Sequence, residues 1–165
     1  MLRTFQSRHR NVLLPVYKSL IRPILEYATV IWTPHCKTDI KEIESVQRYL
    51  TKRIHGLGSL SYGSRLSALH LSTLENRRSY FDLVACHKLI HATESCKCSE
   101  QLHLRRSNTR GHLYKLIATT SNLDVRFHFF TERVVNSWNS LSPEIVNIAD
   151  NNCFKRALQQ HMQAY

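Results

Sequence analysis

Asp39–Gly58 reads DIKEIESVQRYLTKRIHGLG, and its periodicity decides the fold class. Ile43, Val46, Leu50 and Ile54 recur at three and four, which places them on one side of a helix. Lys41, Arg48, Lys52 and His55 fall on the opposite side. Asp39 is suited to cap a helix running from about Ile40 to His55, and Gly56 and Gly58 supply the stop. One face of this helix is set to pack, and the other forms a cationic ridge.

The neighbouring stretches repeat the pattern. From Asn11 to Trp32, Leu13, Tyr17, Leu20, Ile24, Ala28 and Ile31 share a helical face. Lys18, Arg22 and Glu26 run along the same segment at four-residue spacing, a charged stripe that a lipid-spanning helix would not tolerate. No membrane partner is expected. Pro15 lies near the first turn, and Pro23 is expected to kink or split the helix. A short helix fits Ser64–His70. A longer one fits Leu74 to about Ala92, capped by Ser72 or Thr73, with Tyr80, Leu83, Val84, His87 and Ile90 packing.

Periodicity is lost over residues 93–112, which read as a linker or exposed loop. Leu113–Asn122 fits a short strand or an irregular segment. A further helix fits Asp124–Leu141, with Phe127, Phe130, Val134, Trp138 and Leu141 inward. Ser142-Pro143 then reads as an N-cap followed by Pro at the first helical position. A last helix spans about Asn152–His161. The expected fold is all-α, a helical bundle of about five to six helices in two packed units with an irregular linker. The regions are 1–92, 93–112 and 113–165.

The 165 residues include four Gly and four Pro, with a 42% apolar share, which argues against a disordered chain. Twenty-three basic residues against 12 acidic ones leave a net charge of +11. The surplus is uneven. Residues 1–60 hold ten basic and four acidic side chains (+6), 61–112 eight and four (+4), and 113–165 five and four (+1). Such a balance draws polyanions, of which nucleic acid is the commonest, and the contact should favour the first two thirds. Five cysteines, an odd number, follow a start with three arginines and no long apolar run, which fits a reducing, intracellular compartment.

Polymerases and most nucleases bring two or more carboxylates onto divalent metal. Here the four aspartates, Asp39, Asp82, Asp124 and Asp150, are far apart and no Asp-Asp pair exists. No Gly-rich phosphate loop or nucleophile elbow is present. The sharpest metal candidate is His87, His91, Cys96 and Cys98, with the histidines one helical turn apart. Its Cys-x-Cys is closer than the usual Cys-x2-Cys, so buried or interfacial histidines are the preferred reading and no cofactor is expected.

Two surfaces suit nucleic acid. Lys41, Arg48 and Lys52 can neutralise neighbouring phosphates. Arg126, Phe129, Arg133, Asn136 and Ser140 share a helical face away from the Trp138 stripe, where Arg126 and Arg133 can reach phosphates and Phe129 can stack. The plainer alternative packs Phe129 against another helix and leaves the arginines solvated.

The ordered motifs also resemble a known family. Val16–Ala28 with Trp32 and Pro34 is similar to the "LYKxLxRPxLEYA…W.P" run in the thumb of jockey-like, LINE-type non-LTR retrotransposon reverse transcriptases. "DIKEIESVQRYLTKRIHGL" is similar to that family's "LExVQRRxTKxIxGL". "LSYGSRLSALHLSTLENRR" and "FDLVACHKLIH" follow in the same order and spacing. Arg110-Gly111-His112, "RFHFFTERVVNSWNSL" and "FKRALQQHM" are similar to its "RGH", "RxxFFxxRVVxxWNxLP" and closing "FKxxLxxx". The likeness covers nearly the whole chain. It departs where Ser142 separates Leu141 from Pro143 and where the linker is short.

The resemblance implies the thumb and post-thumb part of an RNA-directed DNA polymerase. Its partners would be RNA and DNA, as template–primer duplex, and the remainder of the parent polymerase. Arg48 and Lys52 would grip the duplex, and the protein would work in the nucleus with a cytoplasmic stage. The alternative is a helical protein–protein interaction module, or a remnant of a degraded element. The family's catalytic modules fall outside these residues, so no enzyme activity is expected of the chain alone. Highly purified protein, offered primed RNA template, metal and nucleotides, should therefore give no template-dependent incorporation.

Overall fold

The computed structural model describes residues 7–91, 102–105, 112–119 and 123–163. The fold is all-α, with about 65% of the described residues helical and only two short strands among them. The expected linker at 93–112 lies largely outside the described residues. Two compact units are present. The first comprises residues 1–28 and 34–77, and the second residues 29–33 and 78–165. The sequence-based regions divide the chain at 92 and 112 instead.

The first unit begins with a bent helix. α1 (Arg10–Val16) passes into a π-helical turn (Tyr17–Ile21) and then α2 (Arg22–Leu25). Pro23 is the local cause. It has no N–H to give Ser19, and its ring crowds that carbonyl. The backbone widens one turn earlier, where the Arg22 N–H reaches Tyr17 O, five residues back. The extra residue in the turn moves the packing face. Leu13 and Tyr17 are buried, and Ile21 and Leu25 pack behind them. The continuous face expected from Asn11 to Trp32 is corrected accordingly: Leu20 is 49%, Ile24 71% and Ile31 82% exposed. The helical run ends at Leu25, and Ala28, at φ 51, lies in the turn that follows.

α3 (Lys37–Arg53) is the seventeen-residue spine of this unit. It starts before Asp39, which sits in the first turn rather than at the cap. α4 (Tyr62–Leu69) follows, with the Ser61 hydroxyl accepting the Ser64 N–H and His70 closing it in the left-handed region at φ 50. α5 (Leu74–His91) starts in the first unit and continues into the second. Thr73 Oγ1 accepts the Asn76 N–H at its start.

In the second unit α5 buries Leu83, Val84 and His87, with Tyr80 and Ile90 partly covered, as its periodicity indicated. β1 (Leu104–Arg105) and β2 (Lys115–Leu116) form a short antiparallel ladder, Leu104 opposite Leu116. The helix expected over Asp124–Leu141 is two pieces, α6 (Asp124–Phe127) and α7 (Phe130–Asn139). α8 (Pro143–Val146) has Pro143 at its first position, and α9 (Asn151–Gln163) closes the described chain. The helices therefore exceed the five to six expected, because of this break and the single-turn α8.

Trp138 organises the second core. It is fully buried with Val134, Val135, Val146, Phe154 and Leu158, and its Nε1–H donates to Tyr114 O at 2.8 Å. Asn139 beside it holds β2 as a neighbouring strand would: its Oδ1 accepts the Leu116 N–H and its Nδ2 donates to Leu116 O, both at 2.9 Å. Trp138→Ala should destabilise the protein by about 3–5 kcal/mol, read from the urea midpoint.

Candidate nucleic-acid interface

The orientation of α3 is set by buried polar side chains. Glu44, Gln47 and Thr51 are buried along with Leu50, and Ile54 is buried just beyond the helix, whereas Val46 is 37% exposed. The expected apolar stripe is thus rotated toward Glu44, Gln47 and Thr51. Burial is tolerated because every group is matched. Gln47 Nε2 donates to Tyr62 Oη at 2.9 Å and to Ser72 O at 3.0 Å, while its Oε1 accepts the Tyr17 hydroxyl. Glu44 takes the Leu74 N–H at 2.9 Å and the Tyr62 hydroxyl. Thr51 donates to Gln47 O at 2.9 Å. Burial first, and then the Glu44 carboxylate, raise the Tyr62 pKa.

With that side inward, Lys41, Arg48 and Lys52 are all exposed. At about 1.5 Å per residue they stand on roughly 16 Å of helix. Arg48 is steadied by the Tyr62 ring, its Cζ 4.5 Å from the centroid. The C-terminal end of the same helix borders an open cleft of about 560 Å³, lined by Arg8, Tyr49, Lys52, Arg53, Ile54, His55, Gly56 and Gly58.

The second expected surface divides. Arg126 is exposed, and so is Phe129, at 59%, rather than packed. Arg133 is corrected: its guanidinium turns inward and is fully engaged. It meets Asp82 through Nε and Nη2, both at 2.8 Å, and donates to the carbonyls of Thr29, Val30 and His128 at 2.9–3.1 Å. The bond to His128 O accompanies the α6–α7 break, because that carbonyl leaves the helical ladder to meet Arg133. Burial pushes the Asp82 pKa up against the pull of Arg133. The pair is structural, and nothing in the residue spacing between 82 and 133 announced it.

The metal candidate is only partly described, since Cys96 and Cys98 lie outside the described residues. His87 is buried, stacked on Phe154 at 3.9 Å between centroids, with Nε2 on Ile148 O at 2.6 Å. His91 points Nε2 at Val146 O, 3.3 Å away. Carbonyls only accept, so these nitrogens carry hydrogen and are turned away from a ligand role. His112, also buried, makes the same kind of bond to Trp138 O at 3.3 Å. Nδ1 of both His87 and His112 is buried without a hydrogen-bond partner.

No protein-family model matches the chain, and searches of curated proteins and of solved structures found no match.

Protonating His87 or His112 would place an unpartnered N–H⁺ in the core, and burial lowers both pKa values from about 6.5. The unfolded chain then binds protons that the folded one refuses. Stability should be level above pH 7 and fall as pH drops below about 6.5, flattening only below the depressed folded values. Urea midpoints across pH 4.5–7.5 should show this loss, and His87→Gln with His112→Gln should reduce it.

Proposed function

We propose that the chain is a non-catalytic nucleic-acid-gripping module, the thumb and post-thumb part of a LINE-type RNA-directed DNA polymerase, which holds template–primer duplex along α3. The observation that carries the reading is the exposed row of Lys41, Arg48 and Lys52, backed by a fully satisfied buried face. A line of cations along a helix axis suits a phosphate backbone better than base edges, so the grip is sequence-blind. The +6 of residues 1–60 concentrates the attraction in the same region. On the second unit, Arg126 is exposed and offers a separate phosphate contact, whereas Arg133 is engaged with Asp82 and does not contribute. The ordered family motifs of the sequence support the assignment to a reverse transcriptase, with RNA and DNA as ligands and a nuclear place of work.

A second reading, a helical protein–protein interaction module, has one observation in its favour. Leu20, Ile24 and Tyr27 are 49%, 71% and 76% exposed along one stretch of the first unit. Under the first reading, that apolar row packs on the remainder of the parent polymerase.

Titration of an RNA–DNA hybrid across a salt series separates the two. Replacing Arg48 and Lys52 together by Ala should weaken binding equally for unrelated sequences. It should also lower the slope of log K against log salt by about 0.9 for each duplex phosphate no longer neutralised. Folding should be nearly unchanged, because exposed charges add little stability. Unchanged affinity and slope in the folded double variant would remove the α3 grip. Salt-insensitive or absent binding by the unsubstituted chain would favour the interaction module.

A further inference from the structure

The cleft at the C-terminal end of α3 differs from the ridge in shape and in chemistry. Four of its eight lining residues are Arg8, Lys52, Arg53 and His55, and among the described residues none that lines it is acidic. Repulsion among Arg8, Lys52 and Arg53 meets no acidic side chain among the described lining residues, so an anion entering the cleft relieves an existing cost. The cleft is also built from two distant stretches. The Arg8 carbonyl accepts the His55 N–H at 3.0 Å, and the His9 and His55 rings stack at 6.1 Å with 8° between planes. That clasp brings the N-terminal arm beside the turn after α3, where Gly56 adopts φ 80.

One wall is aromatic. Tyr49 is 52% exposed, and Arg53 Cζ lies 4.2 Å from its ring centroid. Arginine planes and tyrosine rings are the surfaces on which unpaired bases stack. The size also discriminates. About 560 Å³ falls within the roughly 300–1,000 Å³ typical of small-ligand clefts and is far too small for a duplex. Lys52 belongs both to the ridge and to the cleft, so one polyanion can pass from the first to the second.

We propose that this cleft takes the first unpaired nucleotide where the duplex held on α3 gives way to a single strand. Its phosphate sits among Arg8, Lys52 and His55, and its base lies against the Tyr49–Arg53 pair. The inference rests on the α3 reading and adds to it: the module recognises a duplex-to-single-strand junction, not duplex alone.

The test compares a blunt RNA–DNA hybrid with the same hybrid carrying a short single-stranded extension whose first unpaired base is 2-aminopurine. The extension should tighten binding by about tenfold, the size expected for one stacked base, and the 2-aminopurine emission should be quenched on binding. Tyr49→Ala should abolish the gain and the quenching while leaving affinity for the blunt hybrid unchanged. Arg8→Gln, on a second exposed lining residue, should abolish the gain as well, with helicity checked by circular dichroism for both variants. Equal affinity for blunt and extended hybrids would overturn the junction site and leave the α3 grip standing. So would a gain that persists undiminished in both variants. Failure of the unsubstituted chain to bind either hybrid would remove both.

Discussion

Gln47 makes the first unit depend on a single amide. Its side chain is wholly buried and satisfied by three groups that lie far apart in the chain, Tyr17 before the proline bend, Tyr62 on α4 and Ser72 ahead of α5. Leaving such an amide unpaired in the interior would cost about 1–3 kcal/mol per group, so the helix has one acceptable rotation about its axis. Glu44, one turn away, turns the same requirement to use by accepting the first N–H of α5. The cationic ridge follows from this arrangement. Lys41, Arg48 and Lys52 are outward because Glu44, Gln47 and Thr51 are inward.

The second unit reaches order by another route. Trp138 supplies a large apolar surface, and the polar groups around it close locally: indole N–H on Tyr114, Asn139 on both backbone groups of Leu116, and the imidazoles of His87 and His112 on carbonyls. The two arrangements respond differently to acid. Burial raises the pKa of the Tyr17 and Tyr62 hydroxyls in the first unit and lowers those of the His87 and His112 imidazoles in the second.

Helix existence and class were legible from apolar spacing, most clearly on α5, where Leu83, Val84 and His87 are inward as their periodicity indicated. The helix starts at Thr73 and Pro143 were legible from cap chemistry, whereas α3 ends at Arg53 with an extended Ile54, two residues ahead of the expected glycine stop. What escaped was long-range and polar. Counting apolar residues on α3 favours Ile43 and Val46 for the core, because hydrophobic periodicity gives no weight to a Gln or Glu whose partners lie 15 to 30 residues away. Arg133 escaped for the same reason: Asp82 stands 51 residues earlier. The exposed ridge was legible because solvent-facing charges need no partner. The cleft beside it was not, since Arg8 reaches it only through a backbone bond to His55.

The wide turn at Tyr17–Ile21 gives the chain an unusual tolerance to change in length. Leu13, Tyr17, Ile21 and Leu25 stand at uniform four-residue intervals, a spacing that drifts around an ordinary α-helix and is brought back into line by the one surplus residue in the turn. That surplus lies among Lys18, Ser19 and Leu20, all solvent-facing. Excising one of them would remove the surplus without touching the Tyr17 anchor. Ile21 would then stand three residues from Tyr17, the ordinary α-helical return to the same face, so Ile21 and Leu25 would stay the covered residues. In such a helix a single codon gained or removed is taken up inside the turn, and the residues beyond it keep their facing toward the core.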